Sequence, residues 1–158
     1  MPRIIGLDTA PLAGPVVLER CVALAKATRS VGGLVVNVRV ERPGVDVQPQ
    51  GSGFAVDPQP GDVEIVKRTI GAFGRSRLDA ELQARGIETV ALAGIATNFG
   101  VESTGRAADD LGYETVYITD AMTGLNQEAH EFAVSYLFPR LGTDCTGTEY
   151  VAALSAPA

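Results

Sequence analysis

Residues 89–110 read TVALAGIATNFGVESTGRAADD, a strand pattern that leads through a short turn into a helix pattern. The first seven residues are mostly apolar or small, as in a strand that is covered on both faces. An amphipathic helix pattern starts near Val101 and ends at Gly112. The turn between them, ATNFG, is the kind of strand-to-helix junction where α/β proteins place reactive groups. Its last residue, Gly100, can offer a ligand only its backbone N–H.

The same alternation of strand and helix continues in both directions along the chain. Strand patterns are predicted at residues 4–7, 34–40, 63–68, 89–95 and 114–121, and helix patterns at 15–30, 76–86, 101–112, 126–138 and from about 146. Such alternation predicts a three-layer α/β/α sandwich with a mostly parallel, Rossmann-like sheet. Ser76 with Asp79, and Thr146 with Glu149, resemble capping boxes at helix starts. The length fits a single domain over residues 1–158.

Composition and charge disfavour several classes of function. The net charge of −6 argues against a nucleic-acid partner, which would need a basic surface. No apolar run approaches the roughly 20 residues of a membrane helix, and the N-terminus has no signal-peptide pattern. A single histidine, His130, and the absence of CxxC and GxGxxG motifs leave little for a metal or a dinucleotide. We therefore expect a cytoplasmic protein with no metal, cofactor, nucleic-acid partner or membrane partner.

The two cysteines are predicted to be structural. Two residues are too few for a disulfide framework, and a reducing cytoplasm is the default compartment. Cys21 lies on the apolar face of the predicted helix 15–30, and Cys145 lies near the C-terminus.

Polar groups follow the predicted strands, where α/β sheets bind their ligands. These groups are Lys67, the ATNFG turn and Asp120. A separate feature is the segment 41–62, ERPGVDVQPQGSGFAVDPQPGD, which is longer than an ordinary connection. It fits a lid, a binding loop, a subunit contact or a plain surface excursion. We expect a homo-oligomer, a dimer or higher, because symmetric assemblies are common, with this segment as candidate contact or lid.

Three stretches together resemble the isochorismatase-like family, also called the cysteine hydrolases, which includes nicotinamidases, carbamoylases and isochorismatases. They are VEIVKRTIGAF (63–73), AGIATNFGVEST (93–104) and YITDAMT (117–123). The resemblance covers about residues 15–155. It implies a hydrolase that acts on a small molecule, as well as the three-layer fold.

The family's catalytic triad is aspartate, lysine and cysteine. The resemblance assigns the lysine to Lys67 and places Gly100 where the nucleophilic cysteine belongs, so a thioester cannot form there. It also implies that the N–H groups of Ala96 and Gly100 bind an oxyanion and that the Ile95–Ala96 peptide is cis. A simple loss of function by drift is the alternative meaning of Gly100.

The position of the aspartate leaves two alternatives open. Asp8 in RIIGLD is one candidate for the catalytic acid. In the other, MPRIIGLDTAPLAG is the loop that follows the aspartate, so the first strand and its acid are missing. That strand would be central in the sheet, and its loss would leave unpaired backbone groups. The segment PRIIGLD (residues 2–8) is a candidate to fill the vacancy.

The remaining site residues are expected to shape a pocket. Phe73 and Phe99 are candidates for its apolar wall, with core packing as the equal alternative, and Asn98 is expected to contact ligand or hold the turn. Asp120 is interpreted as a turn or cap residue rather than an acid, and His130 as a packing residue rather than a base.

The predicted function is therefore an isochorismatase-family hydrolase that works without a covalent cysteine. Family isochorismatases also have glycine here and use an aspartate to protonate a vinyl ether. This chain nevertheless keeps Ala-Thr-Asn, the amidase-like form of the turn, so both substrate classes stay open. The alternative is a catalytically inactive member that acts as a small-anion binding or scaffold protein.

Overall fold

The computed structural model describes residues 6–50 and 52–156 as alternating helices and strands. In chain order the elements are α1 Gly14–Ser30, β1 Val36–Val40, β2 Val63–Lys67, α2 Leu78–Gln83, β3 Thr89–Ile95, α3 Glu102–Asp110, β4 Glu114–Thr123, α4 Gln127–Phe132, α5 Phe138–Leu141, β5 Thr143–Cys145 and α6 Gly147–Leu154. A π-helical turn, Thr97–Val101, joins β3 to α3, and a second one, Ala133–Leu137, joins α4 to α5. No helix in the described ranges is long and apolar enough to cross a membrane.

All of the strand ladders between these elements are parallel, which agrees with the predicted α/β class. β1 pairs with β2, so that Val36 lies opposite Val63. β4 pairs on one side with β3 and on the other with β5. The single sheet predicted from sequence is nevertheless divided in two among the described residues, because β1 and β3 do not pair.

Helices cover both faces of the larger sheet. Ile118 of β4 packs with Leu24 of α1, whereas the preceding residue, Tyr117, packs with Phe138 of α5. Successive strand residues point to opposite faces, so α1 and α5 lie on opposite sides. Gly105 of α3 permits close packing, since a methyl group there would lie only 2.1 Å from the Tyr117 hydroxyl. This arrangement is the predicted three-layer sandwich.

Some predicted boundaries are confirmed and others are wrong. β3 has the predicted bounds, and Thr146 with Glu149 forms the predicted capping box of α6. The box predicted at Ser76 is absent: the Ser76 hydroxyl accepts from Leu78 N–H instead, and α2 begins later than expected. The predicted strand 4–7 lies partly outside the described residues, and its last two residues form a turn and a bend.

Candidate active site

Lys67 and Gly100 meet at the carboxyl ends of their strands. Lys67 is the last residue of β2, and Gly100 lies in the π turn that follows β3. A methyl group built on Gly100 would lie 3.0 Å from Lys67 Nζ. The ammonium group also donates a hydrogen bond to the carbonyl oxygen of Ile70. The structure thus brings together the two residues that sequence analysis placed at the centre of the site.

The charge of Lys67 lacks a carboxylate partner in the described part of the chain. None of the ion pairs between described residues includes Lys67. Partial burial removes water from the ammonium group and lowers the pKa of Lys67 from its ordinary value. The site therefore holds a cation that an anionic or polar ligand would stabilise.

The residue that joins β3 to the π turn is Ala96, whose backbone N–H is a second feature of the site. The peptide between Ile95 and Ala96 is cis, as the family resemblance implies. Ala96 is 3% exposed, and no acceptor among the described residues takes its N–H. Its carbonyl oxygen, by contrast, accepts from Phe99 and Val101 at 3.1 and 3.2 Å. A buried N–H without a partner is rare in proteins, so this one is a candidate ligand contact.

Thr104, which sequence analysis missed, connects the π turn to Ala72 through hydrogen bonds. Its hydroxyl donates to the Gly100 carbonyl at 2.5 Å and accepts from Ala72 N–H at 3.0 Å. Thr97 is fully buried, and its hydroxyl lies 2.8 Å from His130 Nδ1. The available sequence signal was a threonine four residues after Gly100, since such hydroxyls bond back to the carbonyl at i−4.

A cavity of about 570 Å³ opens next to Lys67 and Gly100. Phe73 lines it and stacks on Tyr113 with 5.8 Å between ring centroids. Phe99 is half exposed and Asn98 is part-buried, and neither lines the cavity. The Asn98 Oδ1 atom is buried against Gly124 without a hydrogen-bond partner among the described residues. Of the three predicted pocket residues, the structure brings only Phe73 to the cavity.

Asp8, the provisional catalytic acid, does not join the site in this structure. It is exposed, it does not line the cavity and it forms no ion pair with Lys67. The chain next to it is held by Ala10, which exchanges two backbone hydrogen bonds of 3.0 Å with Gly124. Residues 2–5 of the candidate filling segment PRIIGLD lie outside the described residues.

The other polar candidates have structural contacts. Asp120 accepts a 2.7 Å hydrogen bond from Gly147 N–H and thereby caps α6, which agrees with its interpretation as a cap. His130 is 6% exposed and bonded to Thr97, and burial lowers the pKa of His130. It therefore stays neutral near pH 7 and anchors α4 to the π turn, as expected for a packing residue.

Neither cysteine supplies a thiolate to this site. The Cys21 thiol lies 3.6 Å from the Ala121 carbonyl oxygen, and burial raises the pKa of Cys21 to about 11. Burial also raises the pKa of Cys145, which lies in β5. Both thiols are protonated near neutral pH and are poor nucleophiles.

Comparison with known proteins gives consistent matches over most of the chain. The family described as Isochorismatase domain matches residues 9–149. An uncharacterised isochorismatase family protein of Bacillus subtilis, YwoC, is 48% identical over 93 residues, which are 59% of this chain and 49% of that protein. The ureidoacrylate amidohydrolase RutB of Variovorax paradoxus is 44% identical over 79 residues, 50% of this chain and 31% of that protein.

The fold has a close counterpart among solved structures. An isochorismatase family protein of Burkholderia thailandensis superposes with a TM-score of 0.85 at 34% identity, covering 97% of this chain and 90% of that one. The nicotinamidase PncA of Bacillus subtilis, at 21% identity and a TM-score of 0.73, shares the fold. The two curated relatives are matched over about half of their length or less.

Proposed function

This chain belongs to the isochorismatase family, and we propose that it is a hydrolase of a small carbonyl compound that uses water rather than a cysteine as nucleophile. The observation that carries the proposal is the 3.0 Å approach of Lys67 Nζ to the Cβ position that Gly100 leaves empty. A cation and a backbone turn meet there at the cavity.

The backbone turn supports binding of a carbonyl oxygen. In the proposed complex the oxygen accepts hydrogen bonds from the N–H groups of Ala96 and Gly100. These donors are fixed by the fold, and such preorganised donors stabilise the negative charge that develops on the oxygen in acyl transfer. Removing one donor of this kind costs about 10²–10³ in rate in enzymes where it has been measured.

Lys67 supplies the proton transfers in this proposal. Its lowered pKa increases the fraction of neutral amine, which can take a proton from the attacking water. The water oxygen then bonds to the carbonyl carbon, the bond to the leaving group breaks, and the Lys67 ammonium returns the proton to that group. No covalent bond to the protein forms, which agrees with the absence of a side chain at Gly100.

An amide or ureido carbonyl is the substrate class we favour. The Variovorax relative is named as a ureidoacrylate amidohydrolase, and it is 44% identical over the matched 79 residues. The nicotinamidase neighbour is too distant in sequence to carry its substrate over. We expect turnover of this whole class to be slow and that of nicotinamide to be negligible, because losing a covalent nucleophile can cost on the order of 10⁶ in rate.

The decisive test replaces the cation. Lys67→Met should reduce turnover of the best substrate from a panel of small amides and ureides by about 10²–10⁴, the usual size of acid–base catalysis. The chain's other lysine, Lys26, is exposed on α1 and gives the matched control, so Lys26→Met should leave the rate unchanged. Turnover that survives Lys67→Met would contradict the proposal.

The pH profile tests the role of the amine separately. Because burial lowers the pKa of Lys67, the neutral amine gains population below the ordinary lysine value of about 10.4. We expect kcat/KM to rise with pH and to level off below that value. A rate that falls as the pH rises through this window would show that the ammonium form, and not the amine, is required.

Small-anion binding without turnover is the second candidate function. It is favoured by the absence, among the described residues, of a carboxylate paired with Lys67. Calorimetric titration with benzoate would then show saturable binding that Lys67→Met removes, while no member of the substrate panel is hydrolysed.

We also propose that the protein forms a two-fold homodimer through segment 41–62. Val45 and Val47 in this segment are 44% and 85% exposed, and exposed apolar side chains favour a contact. Light scattering at micromolar concentration should give twice the chain mass, and Val47→Asp should halve it. A monomer mass for the unmodified chain would end this proposal.

A further inference from the structure

The helical run over residues 127–141 carries an exposed row of four side chains. α4, the second π turn and α5 follow one another without a break, and the backbone keeps right-handed helical angles where they join. Side chains four residues apart lie on the same side of a helix. One exposed set at this spacing is Glu128, Phe132, Tyr136 and Arg140. We call these four side chains the aromatic row.

Contacts within the aromatic row hold its members in line. The rings of Phe132 and Tyr136 stack with 5.1 Å between their centroids and 24° between their planes. The Arg140 guanidinium lies over the Tyr136 ring, 3.9 Å from its centroid, and donates a hydrogen bond to the Tyr136 carbonyl oxygen. The π turn therefore does not interrupt the row, and its side chains are already ordered for a contact.

The aromatic row lies on the side of the helix that faces away from the core. His130, Ala133 and Phe138 of the same run are buried, whereas Phe132 and Tyr136 are 58% and 50% exposed. An aromatic side chain offers about 150–250 Å² of surface, so roughly 100 Å² of each of these two is left uncovered. Adjacent exposed apolar groups of this kind mark a contact site on a protein surface.

The order of charges makes the aromatic row complementary to itself. An acid, Glu128, stands at the amino end, a base, Arg140, stands at the carboxyl end, and two rings lie between them at equal spacing. A two-fold axis that crosses the helix midway between Phe132 and Tyr136 reverses this order in a second copy. Glu128 then faces Arg140 of the second copy, and Phe132 faces its Tyr136. Each contact occurs twice, as a two-fold interface requires.

Both charged ends of the aromatic row are available for such contacts. The ion pairs between described residues include neither Glu128 nor Arg140. A guanidinium has five N–H donors, and the hydrogen bond from Arg140 to the Tyr136 carbonyl uses one of them. Because opposite charges meet at both ends only when the two helices are antiparallel, the charges also set the orientation of the pair.

We propose that the aromatic row binds the same row of a second copy of this chain, with the two helices antiparallel. The four rings of such a pair supply roughly 400 Å² of apolar contact. Stable interfaces bury at least about 1,200 Å² in total, so this pair is reversible, with a Kd on the order of 10⁻⁴ M. None of its residues belongs to segment 41–62, and the inference does not depend on the proposed hydrolysis.

Analytical ultracentrifugation of the Val47→Asp chain tests this pairing by itself, because that change removes the contact proposed for segment 41–62. Between about 10 µM and 1 mM, a range that spans the expected Kd, the mean mass should rise from one chain toward two. Adding Phe132→Asp should weaken association at least about tenfold, since a carboxylate replaces apolar contact. Adding Val22→Asp, at a residue of α1 that is 47% exposed, is the matched control and should change nothing. The mass of one chain at every concentration, or association that survives Phe132→Asp, would overturn the proposal and leave the row to a different partner.

Charge reversal tests the antiparallel register. In the same background, Arg140→Glu and Glu128→Arg should each weaken association about tenfold, because attraction becomes repulsion at both symmetric ends. The two changes together should restore the original affinity, since opposite charges meet again. Arg85→Glu changes the net charge by the same amount at an exposed residue just after α2, and it should have no effect. Circular dichroism verifies that every variant folds. Failure of the double variant to recover would overturn the antiparallel pairing.

Disulfide trapping measures which positions face each other. A mixture of the Glu128→Cys chain and the Arg140→Cys chain should form a mixed disulfide on mild oxidation. Neither chain should cross-link to itself, because at 1.5 Å per residue the two copies of either position lie about 18 Å apart along the antiparallel pair. A disulfide requires Cβ atoms about 3.8 Å apart. The unmodified chain, with Cys21 and Cys145 alone, is the control. Self-cross-linking as fast as the mixed reaction would overturn the proposed register.

Discussion

β3 and β4 are neighbours in one ladder, yet only β4 is buried. Tyr117, Ile118, Ala121 and Met122 of β4 are at most 2% exposed, whereas no residue of β3 is buried. β4 has strands on both sides, whereas β3 pairs with one strand among the described residues. The difference in burial therefore comes from what lies beside each strand, because helices cover both of them.

The comparison shows that the composition of a strand indicates the burial it is suited to, and not the burial it has in the fold. TVALAGI in β3 is typical of a strand covered on both faces, and the sequence analysis interpreted it so. Nothing in its own residues distinguishes it from β4 in this respect. The low burial of β3 depends on the order of strands in the sheet, which a local sequence pattern does not express.

The largest difference between the two strands is expected in stability. Ile118→Ala should reduce the free energy of unfolding by about 2–5 kcal/mol, because the buried side chain leaves a cavity. Leu92→Ala in β3 removes a side chain that is only partly buried and should cost less than half as much. Urea denaturation of both variants gives the two values. Equal losses would show that β3 is covered in solution.

The order of elements was predictable because their hydrophobic periods are clear, and the exceptions have physical causes. The helix pattern at 126–138 became α4, a π turn and α5, since Pro139 has no N–H to continue the regular hydrogen bonding. β5 has only three residues, Thr143–Cys145, which is too short to show an alternating pattern. Both features depend on contacts that the local sequence does not express.

Two glycines, Gly100 in the π turn and Gly105 in α3, give a smaller test of the comparison. A methyl group on Gly105 would meet the buried Tyr117 ring of β4. Gly105→Ala should therefore reduce the free energy of unfolding by about 1–3 kcal/mol through overpacking. A methyl group on Gly100, which follows β3, would meet Lys67 Nζ, the end of a flexible side chain. Gly100→Ala should therefore change stability by less than about 0.5 kcal/mol. Thermal unfolding measures both, and a larger loss at Gly100 would contradict the comparison.

The partly buried ammonium group of Lys67 should reduce the free energy of unfolding of the native protein. A folded-state pKa below the unfolded value means that folding disfavours the charged form. The penalty is constant below the lowered pKa and disappears as the pH rises toward the unfolded value. Lys67→Met should thus raise the Tm at pH 7, and the gain should shrink toward pH 10. A lower Tm for Lys67→Met at pH 7 would show that the ammonium stabilises the fold.

The candidate site was predictable where a short motif defines it and unpredictable where distant chain segments meet. Lys67 and Gly100 lie in or next to recognisable turns, and the structure places these two residues side by side. Asn98 and Phe99 share that motif but do not line the cavity, and a helical turn directs successive side chains to different sides. The role of Thr104 depends on Ala72, 32 residues away.

The last test measures the reactivity of a thiol placed in the π turn that follows β3. In Gly100→Cys the new Cβ would lie 3.0 Å from Lys67 Nζ, in the π turn just before α3. A nearby ammonium and a helix N-terminus both favour thiolate, so its pKa should fall below the free value of about 8.5. Burial raises the pKa of Cys21 to about 11 and also raises that of Cys145. Iodoacetamide at pH 7 should therefore alkylate the introduced cysteine first, as located by mass spectrometry.

The double variant separates the two causes of this reactivity. Adding Lys67→Met to Gly100→Cys removes the ammonium and leaves the helix start, so the alkylation rate at pH 7 should fall toward that of an ordinary exposed thiol. A shift of one pKa unit corresponds to about 1.4 kcal/mol. The measurement is the alkylation rate against pH for the single and the double variant. A thiol in Gly100→Cys that titrates at or above 8.5, the free-cysteine value, would mean that this turn does not favour anions. The surroundings of the turn would then differ from those of β4 only in exposure, and the acid–base role proposed for Lys67 would lose its support.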